Sequence, residues 1–296
     1  MNNVVEVRKL TKMYGRTAAV QNVSFTMEEN KIYGLLGRNG AGKTTIMHML
    51  TAQLFPTGGE LKVFGEGPYE NDRVLSRVCF IKESQKYPDH FRVADVLETG
   101  AAIFPDWDRE FAYSLVNDFR LPLRRKMKKL SRGMLSAVGI IVGLASRAPL
   151  TIFDEPYLGL DAVARNLFYD RLLGDYAENP RTVVLSTHLI DEVSQILEHV
   201  LLIDNGRLLL DEDAEQLRGR AYTVVGQRAK VNAYLEGKSA IHRESLGGLE
   251  TAAVMGALNA VERKHAESLG LELVPVSLQQ MIVYLTSGNQ VRKEAN

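Results

Sequence analysis

The sequence predicts an α/β fold: a parallel-sheet core, a helical subdomain inserted into it, and a small α+β domain after it. Three observations carry that prediction. The apolar run Ile32-Tyr33-Gly34-Leu35-Leu36 leads through Gly37-Arg38-Asn39-Gly40-Ala41-Gly42-Lys43-Thr44 into the helical pattern Thr45-Ile46-Met47-His48-Met49-Leu50; strand, glycine loop and helix in that order make a phosphate-binding turn. A second run, Leu150-Thr151-Ile152-Phe153, has no polar alternation and reads as a central strand buried on both faces. Between them, residues 82–148 carry few β-branched runs and repeat apolar residues at helical spacing.

Composition bounds the rest. A chain of 296 residues holds one large domain and a smaller one. Apolar residues are 45% and charged residues 24%, an ordinary globular balance. Lys+Arg and Asp+Glu are both 36, so no net field favours nucleic acid or an anionic membrane. The lone Cys79 rules out an internal disulfide and fits a reducing compartment. Residues 1–12 alternate polar and apolar and lack a signal-peptide core. The run Met134 to Ala145 is too short to span a bilayer. The chain is therefore expected to be soluble by itself, attached to a membrane only through a partner.

The glycine loop comes first in chemistry. Glycines let the backbone turn its N–H groups onto phosphate oxygens. The following helix adds unpaired N–H groups and a partial positive charge. Lys43 can meet the terminal phosphates and the Thr44 hydroxyl can ligate Mg²⁺. The loop binds a nucleoside triphosphate.

The other elements follow in order. Val4 to Val7 is a short strand, and Tyr14 lies in a turn-rich stretch. Ala19, Val20, Val23, Phe25 and Met27 mark a strand that ends at Glu28-Glu29-Asn30. Glu60 to Phe64 and Val78 to Ile81 are further strands. In the helical subdomain, Val93, Val96, Leu97 and Ala101 share one face, and Phe111, Leu115, Val116 and Phe119 another. The basic run 124–129 reads by default as a solvated face, with a phosphate or partner contact as the minority alternative. Ser131 reads as the N-cap of a helix through Val138, Ile141, Val142 and Ala145. Read alone it is an ordinary cap.

The strand at 150–154 ends in Asp154 and Glu155, where ligands gather in open parallel sheets. Asp154 suits Mg²⁺ as a hard oxygen ligand. Glu155, pointing elsewhere, can take a proton from an attacking water. Gly159-Leu160-Asp161 turns into a helix over 162–176. Thr182 to Leu185 is a strand ending at Ser186-Thr187-His188, so His188 faces the same crevice. The other histidines read as structural or merely exposed. A closing hairpin surrounds Asp204-Asn205-Gly206. The domains are expected at 1–218, with the helical subdomain at about 84–149, and at 219–288. The tail 289–296 is expected to fray. In the second domain, strands are expected at 221–226, at 271–274 and around Gly247-Gly248, and helices at 229–236, 259–269 and 278–285.

Taken together, these motifs resemble the ATP-binding subunit of an ABC transporter, over residues 3–217. Gly37 to Thr44 matches Walker A. Leu130-Ser131-Arg132-Gly133-Met134 matches the signature LSGGQ, with Arg132 and Met134 as departures. Ile152-Phe153-Asp154-Glu155 matches Walker B with its glutamate, and Leu158-Gly159-Leu160-Asp161 is similar to the D-loop. His188 falls at the switch histidine, and Tyr14 where a ring stacks on adenine, a contact worth about 1–3 kcal/mol by analogy with base stacking.

The resemblance implies an ATPase with ATP and Mg²⁺ as cofactors. Gly37, Arg38, Asn39, Gly40, Ala41, Gly42, Lys43, Thr44 and Thr45 would hold ATP, together with Tyr14, Ser131, Gly133 and Asp161. Thr44, Asp154 and either Glu83 or Gln85 would serve Mg²⁺: Glu83 matches the family's glutamine by spacing, and Gln85 follows two residues later. Glu155 and His188 would be catalytic. Two such domains would pair head to tail, as a homodimer or with a sister chain, and drive a separate membrane permease from the cytoplasmic face. The segment 87–102, expected to be helical throughout, would be its docking surface. Residues 104–108 and the C-terminal domain resemble bacterial exporter-type ATPases. The alternatives are a soluble ABC ATPase that remodels ribosomes or nucleoprotein, and an inactive binding module. The first usually has tandem domains or a coiled-coil insertion; Glu155 and His188 speak against the second.

Overall fold

Uninterrupted apolar runs become buried parallel strands, and alternating runs become antiparallel ones. The computed structural model describes residues 2–82 and 85–291. The chain forms two units, Met1–His188 with Ile196–Asp211, and Leu189–Gln195 with Glu212–Asn296.

In chain order the elements begin with β1 (Asn3–Tyr14), β2 (Thr17–Glu28), β3 (Ile32–Leu36), α1 (Lys43–Leu50) and β4 (Gly58–Val63). Then come α2 (Asp72–Leu75), β5 (Val78–Ile81), α3 (Val93–Ile103), α4 (Arg109–Asp118) and α5 (Arg132–Ala145). After these follow β6 (Leu150–Asp154), α6 (Ala162–Glu178), β7 (Thr182–Thr187), α7 (Ile190–Val193), β8 (His199–Asp204) and β9 (Arg207–Asp213). The C-terminal elements are α8 (Ala214–Leu217), β10 (Ala221–Gln227), α9 (Arg228–Tyr234), β11 (Ala240–Leu246), β12 (Leu249–Met255), α10 (Ala260–Ser268), β13 (Glu272–Pro275) and α11 (Leu278–Val291).

The larger unit has a six-stranded sheet in the order β5-β6-β7-β3-β8-β9. Its first five strands pair in parallel. Every residue of β3, β6 and β7 is buried, as a sheet covered on both faces requires. An antiparallel sheet, β2-β1-β4, lies in the same unit. Val7, Leu10, Phe25 and Met27 from it form one core with Leu35, Ile46, Met47, Leu50, Leu201 and Ile203. Burying each such side chain stabilises by about 1.5–3 kcal/mol. The β8–β9 hairpin turns at Asn205 and Gly206, both with positive φ (48° and 74°), as the Asn-Gly pair demands.

Three local features differ from the sequence reading. The first strand runs on through Tyr14, because β2 pairs with it down to Tyr14↔Thr17; bulges take up the irregularity. Helix α3 starts at Val93, and 87–92 is not helical; the Asp95 carboxylate accepts the Arg92 N–H at 2.7 Å and sets the start. Its fourth buried position is Gly100, not Ala101, since the Trp107 ring sits where a Cβ on Gly100 would come within 2.5 Å. At the other end of the chain, α11 continues to Val291 instead of stopping near Leu285; the rest of the expected tail, 292–296, lies outside the described residues.

Helices α3, α4 and α5 make the helical subdomain. An ion cluster links α4 to α6: the buried Arg181 has Nη1 2.6 Å from the buried Asp175, and the half-buried Arg147 bonds both Asp175 and Asp108. The smaller unit is a four-stranded antiparallel sheet, β11-β12-β10-β13, with its own core around Tyr222, Val224, Val231, Tyr234 and Ala266. Inside it the Tyr234 hydroxyl donates to Glu262 at 2.5 Å, and Lys238 pairs with the same carboxylate.

Candidate nucleotide site

Sheet register assembles the site. Leu36 pairs with Thr187, and Asp154 pairs with Ser186. The next residues, Gly37, Glu155 and His188, therefore leave three neighbouring strands at one edge. This is where a doubly covered parallel sheet places its ligands.

The glycine loop is shaped by close approach. Gly37 has φ 147°, and a Cβ there would fall 2.2 Å from the Ile203 carbonyl oxygen. Only glycine fits. Helix α1 starts at Lys43, whose ammonium donates to the carbonyls of Gly37 (2.7 Å) and Arg38 (3.3 Å). Lys43 is buried. Burial lowers its pKa, while the Glu155 and Asp154 charges push it back up. The Thr44 hydroxyl donates to Asp154 Oδ2 at 2.9 Å. A cleft of about 260 Å³ is lined by Asn39, Gly40, Ala41, Gly42, Lys43, Thr44, Thr45, Asp154 and Glu155, with Ala19.

Glu155 is buried and holds a left-handed backbone, φ 49°, uncommon outside glycine. Its N–H bonds the Ser186 carbonyl at 3.0 Å. Its Oε2 lies 2.8 Å from His188 Nδ1 and accepts from the Tyr157 hydroxyl. Its Oε1 is buried with no hydrogen-bond partner. The Tyr157 hydroxyl also meets Thr187 Oγ1 and accepts the His188 N–H at 3.3 Å. Burial, and next the Glu155 contact, raise the Tyr157 pKa, so the phenol stays protonated. Sequence reasoning missed Tyr157 and Thr187. Nothing in a tyrosine two residues past a carboxylate marks it, because the partner Thr187 is 30 residues away.

The remaining expected residues sit elsewhere. Tyr14 is exposed at the end of β1, with Lys12 Nζ 5.4 Å over its ring. Ser131 caps α5 by accepting the Met134 N–H at 3.2 Å. A Cβ on Gly133 would come within 2.4 Å of the Gly159 carbonyl oxygen, so the signature loop packs against the Gly159–Asp161 turn of its own chain. Asp161 caps α6 through the Ala164 N–H at 2.8 Å. None of these four lines the phosphate cleft. Gln85 lines a second cleft, of about 460 Å³, with Tyr87, Lys128, Arg132, Ser136 and Glu155. Gln85 Oε1 and the Tyr87 hydroxyl are buried there without partners. Glu83 lies outside the described residues. Among the described residues no His, Cys, Asp and Glu cluster forms a metal cage.

The sequence matches the ABC transporter family over residues 20–158. It is 32% identical over 224 residues to the bacitracin transport ATP-binding protein BcrA of Bacillus licheniformis, covering 74% of this chain and 73% of that one. The chain belongs to the ABC transporter ATP-binding family. Such proteins are ATPases, and so is this one. This ABC ATPase is also 28% identical over 304 residues to the daunorubicin/doxorubicin resistance protein DrrA of Streptomyces peucetius, across 95% of this chain and 92% of that one. That match reaches into the C-terminal unit. A solved ATP-binding subunit of an ABC transporter superposes with a TM-score of 0.65 at 24% identity, over 72% of this chain and 91% of that one. Among the described residues no helix is long and apolar enough to cross a membrane.

Proposed function

We propose that this ABC ATPase binds and hydrolyses Mg-ATP at the glycine loop and drives a separate membrane permease, an exporter, from its cytoplasmic face. The observation that carries the reading is the Thr44–Asp154 bond beside the buried Lys43 ammonium. The donors fit Mg²⁺: a hydroxyl and a carboxylate are hard oxygen ligands, and two protein ligands plus phosphates are what this ion usually takes. Thr44 and Asp154 would hold it, and bound Mg²⁺ would neutralise charge on the phosphates.

The chain's own groups do the rest. Residues 37–45 cradle the phosphates, with Lys43 as a point charge. Glu155 accepts a proton from the water whose oxygen attacks the terminal phosphorus, as the bond to ADP breaks; such help is worth about 10²–10⁴ in rate. His188 bears on Glu155 from the solvent side. Tyr14 offers its exposed face to the adenine. Ser131, Gly133 and Asp161 do not line their own chain's phosphate cleft, which supports a head-to-tail pair of chains in which they serve the partner's nucleotide.

Gln85 fits the link to the permease, because it lines the 460 Å³ cleft together with Glu155. The relatives support export: BcrA is named for bacitracin transport and DrrA for daunorubicin and doxorubicin resistance. The test is a tagged Glu155→Gln protein, incubated with Mg-ATP and detergent-solubilised native membranes. It should bind ATP normally, hydrolyse it slowly, and retain a polytopic membrane protein. Wild-type turnover would remove Glu155 as the base. Recovery of soluble complexes alone would favour the remodelling ATPase.

A further inference from the structure

We propose that Tyr157 is a positioning residue for hydrolysis: its hydroxyl, anchored to Thr187, holds Oε2 of Glu155 and so presents Oε1 to the attacking water. The proposal rests on Glu155 being the base.

Proton counting gives the direction of each bond. The phenol has one proton and gives it to the Glu155 carboxylate. Its oxygen then accepts, from the Thr187 hydroxyl and from the His188 N–H. Tyr157 is 3% exposed, so this junction is dry and held on three sides. A hydrogen bond to a charged acceptor in such a place is among the stronger kinds.

The two oxygens of Glu155 are thereby made unequal. Oε2 has two partners, Tyr157 and His188; Oε1 is buried and has none. A buried carboxylate oxygen left unpaired costs free energy unless something else bonds it. Glu155 lines the phosphate cleft, but Oε1 itself is closed to water in this structure; it is the oxygen left for the attacking water to meet when ATP fills the cleft. The backbone alone does not aim the group. It sits at a strained φ, tied through one N–H to Ser186.

His188 cannot hold the carboxylate in the same way. Its side chain is 47% exposed, so its bond to Oε2 competes with water. The buried phenol is the contact that persists when the imidazole moves. General-base catalysis is steep in geometry, and a shift of an ångström can cost about a hundredfold.

Tyr157→Phe keeps the ring and deletes only the hydroxyl. With the full-length protein, ATP turnover should fall by about ten- to a hundredfold. ATP affinity by calorimetry should stay within about twofold, a pattern of transition-state loss alone. Thr187→Val, which cuts the same anchor from the other side, should lower turnover in the same direction while binding holds; it also decides the matter if Tyr157→Phe fails to fold. In a Glu155→Gln background, Tyr157→Phe should change nothing further. Wild-type turnover in Tyr157→Phe, a matching loss of ATP affinity, or a full additional loss on top of Glu155→Gln would each overturn the proposal. If Glu155→Gln itself turns over normally, the assignment of the base has failed instead.

Discussion

The Thr44 hydroxyl donates a 2.9 Å hydrogen bond to Oδ2 of Asp154, joining positions 110 residues apart. One belongs to the helix after the glycine loop, the other ends a buried strand. The pairing of β3, β7 and β6 brings them together at the cleft proposed for the nucleotide and its ion.

Lys43 donates to loop carbonyls in a buried position that disfavours its charge. Lys43→Ala removes the cation assigned to the phosphates. ATP affinity by calorimetry should weaken by at least about tenfold, ~1.4 kcal/mol. The nucleotide-free protein should melt no earlier than wild type, because folding no longer has to bury an ammonium group. Unchanged affinity would take the phosphate role from Lys43.

Gly37 and Gly40 separate steric need from mere loop membership. A Cβ on Gly37 meets the Ile203 carbonyl oxygen at 2.2 Å, whereas nothing lies within 4 Å of one on Gly40. Gly37→Ala should cost about 2–4 kcal/mol in chemical denaturation, from strain and backbone displacement. Gly40→Ala should cost only about 1 kcal/mol, the backbone term at positive φ. Equal losses would mean that the Ile203 contact does not shape the loop.

In the C-terminal unit, Lys238 first and Tyr234 next hold the Glu262 carboxyl below its usual 4.5. Between that lowered value and 4.5 the unfolded chain binds more protons than the folded one. The stability from Glu262 is therefore full above 4.5 and disappears as pH falls through the folded value. Glu262→Gln should flatten the loss of stability as pH falls below 4.5, read by urea denaturation and far-UV circular dichroism. An unaltered slope would show that other carboxylates set the acid response.

Much of the fold and of the site lies in short stretches of sequence. The glycine loop, the apolar run ending in Asp154-Glu155, and the Ser131 cap are local patterns, and local chemistry is enough to produce them. The strand of Tyr14, by contrast, is lengthened by pairing with β2, a partner the stretch itself does not name. Gly100 replaces Ala101 on the α3 face because Trp107 folds back over it. Helices α2, α7 and α8 span four residues each, too few to show a helical period.

By itself the sequence determined the parallel core, the helical insertion and the strand–glycine loop–helix turn, because each depends on residues within a turn or strand of one another. Only the tertiary structure decided which oxygen of Glu155 is free. That outcome depends on sheet register, which sets Thr187 and His188 beside a tyrosine from another strand's exit, and register is a property of strands paired across the chain.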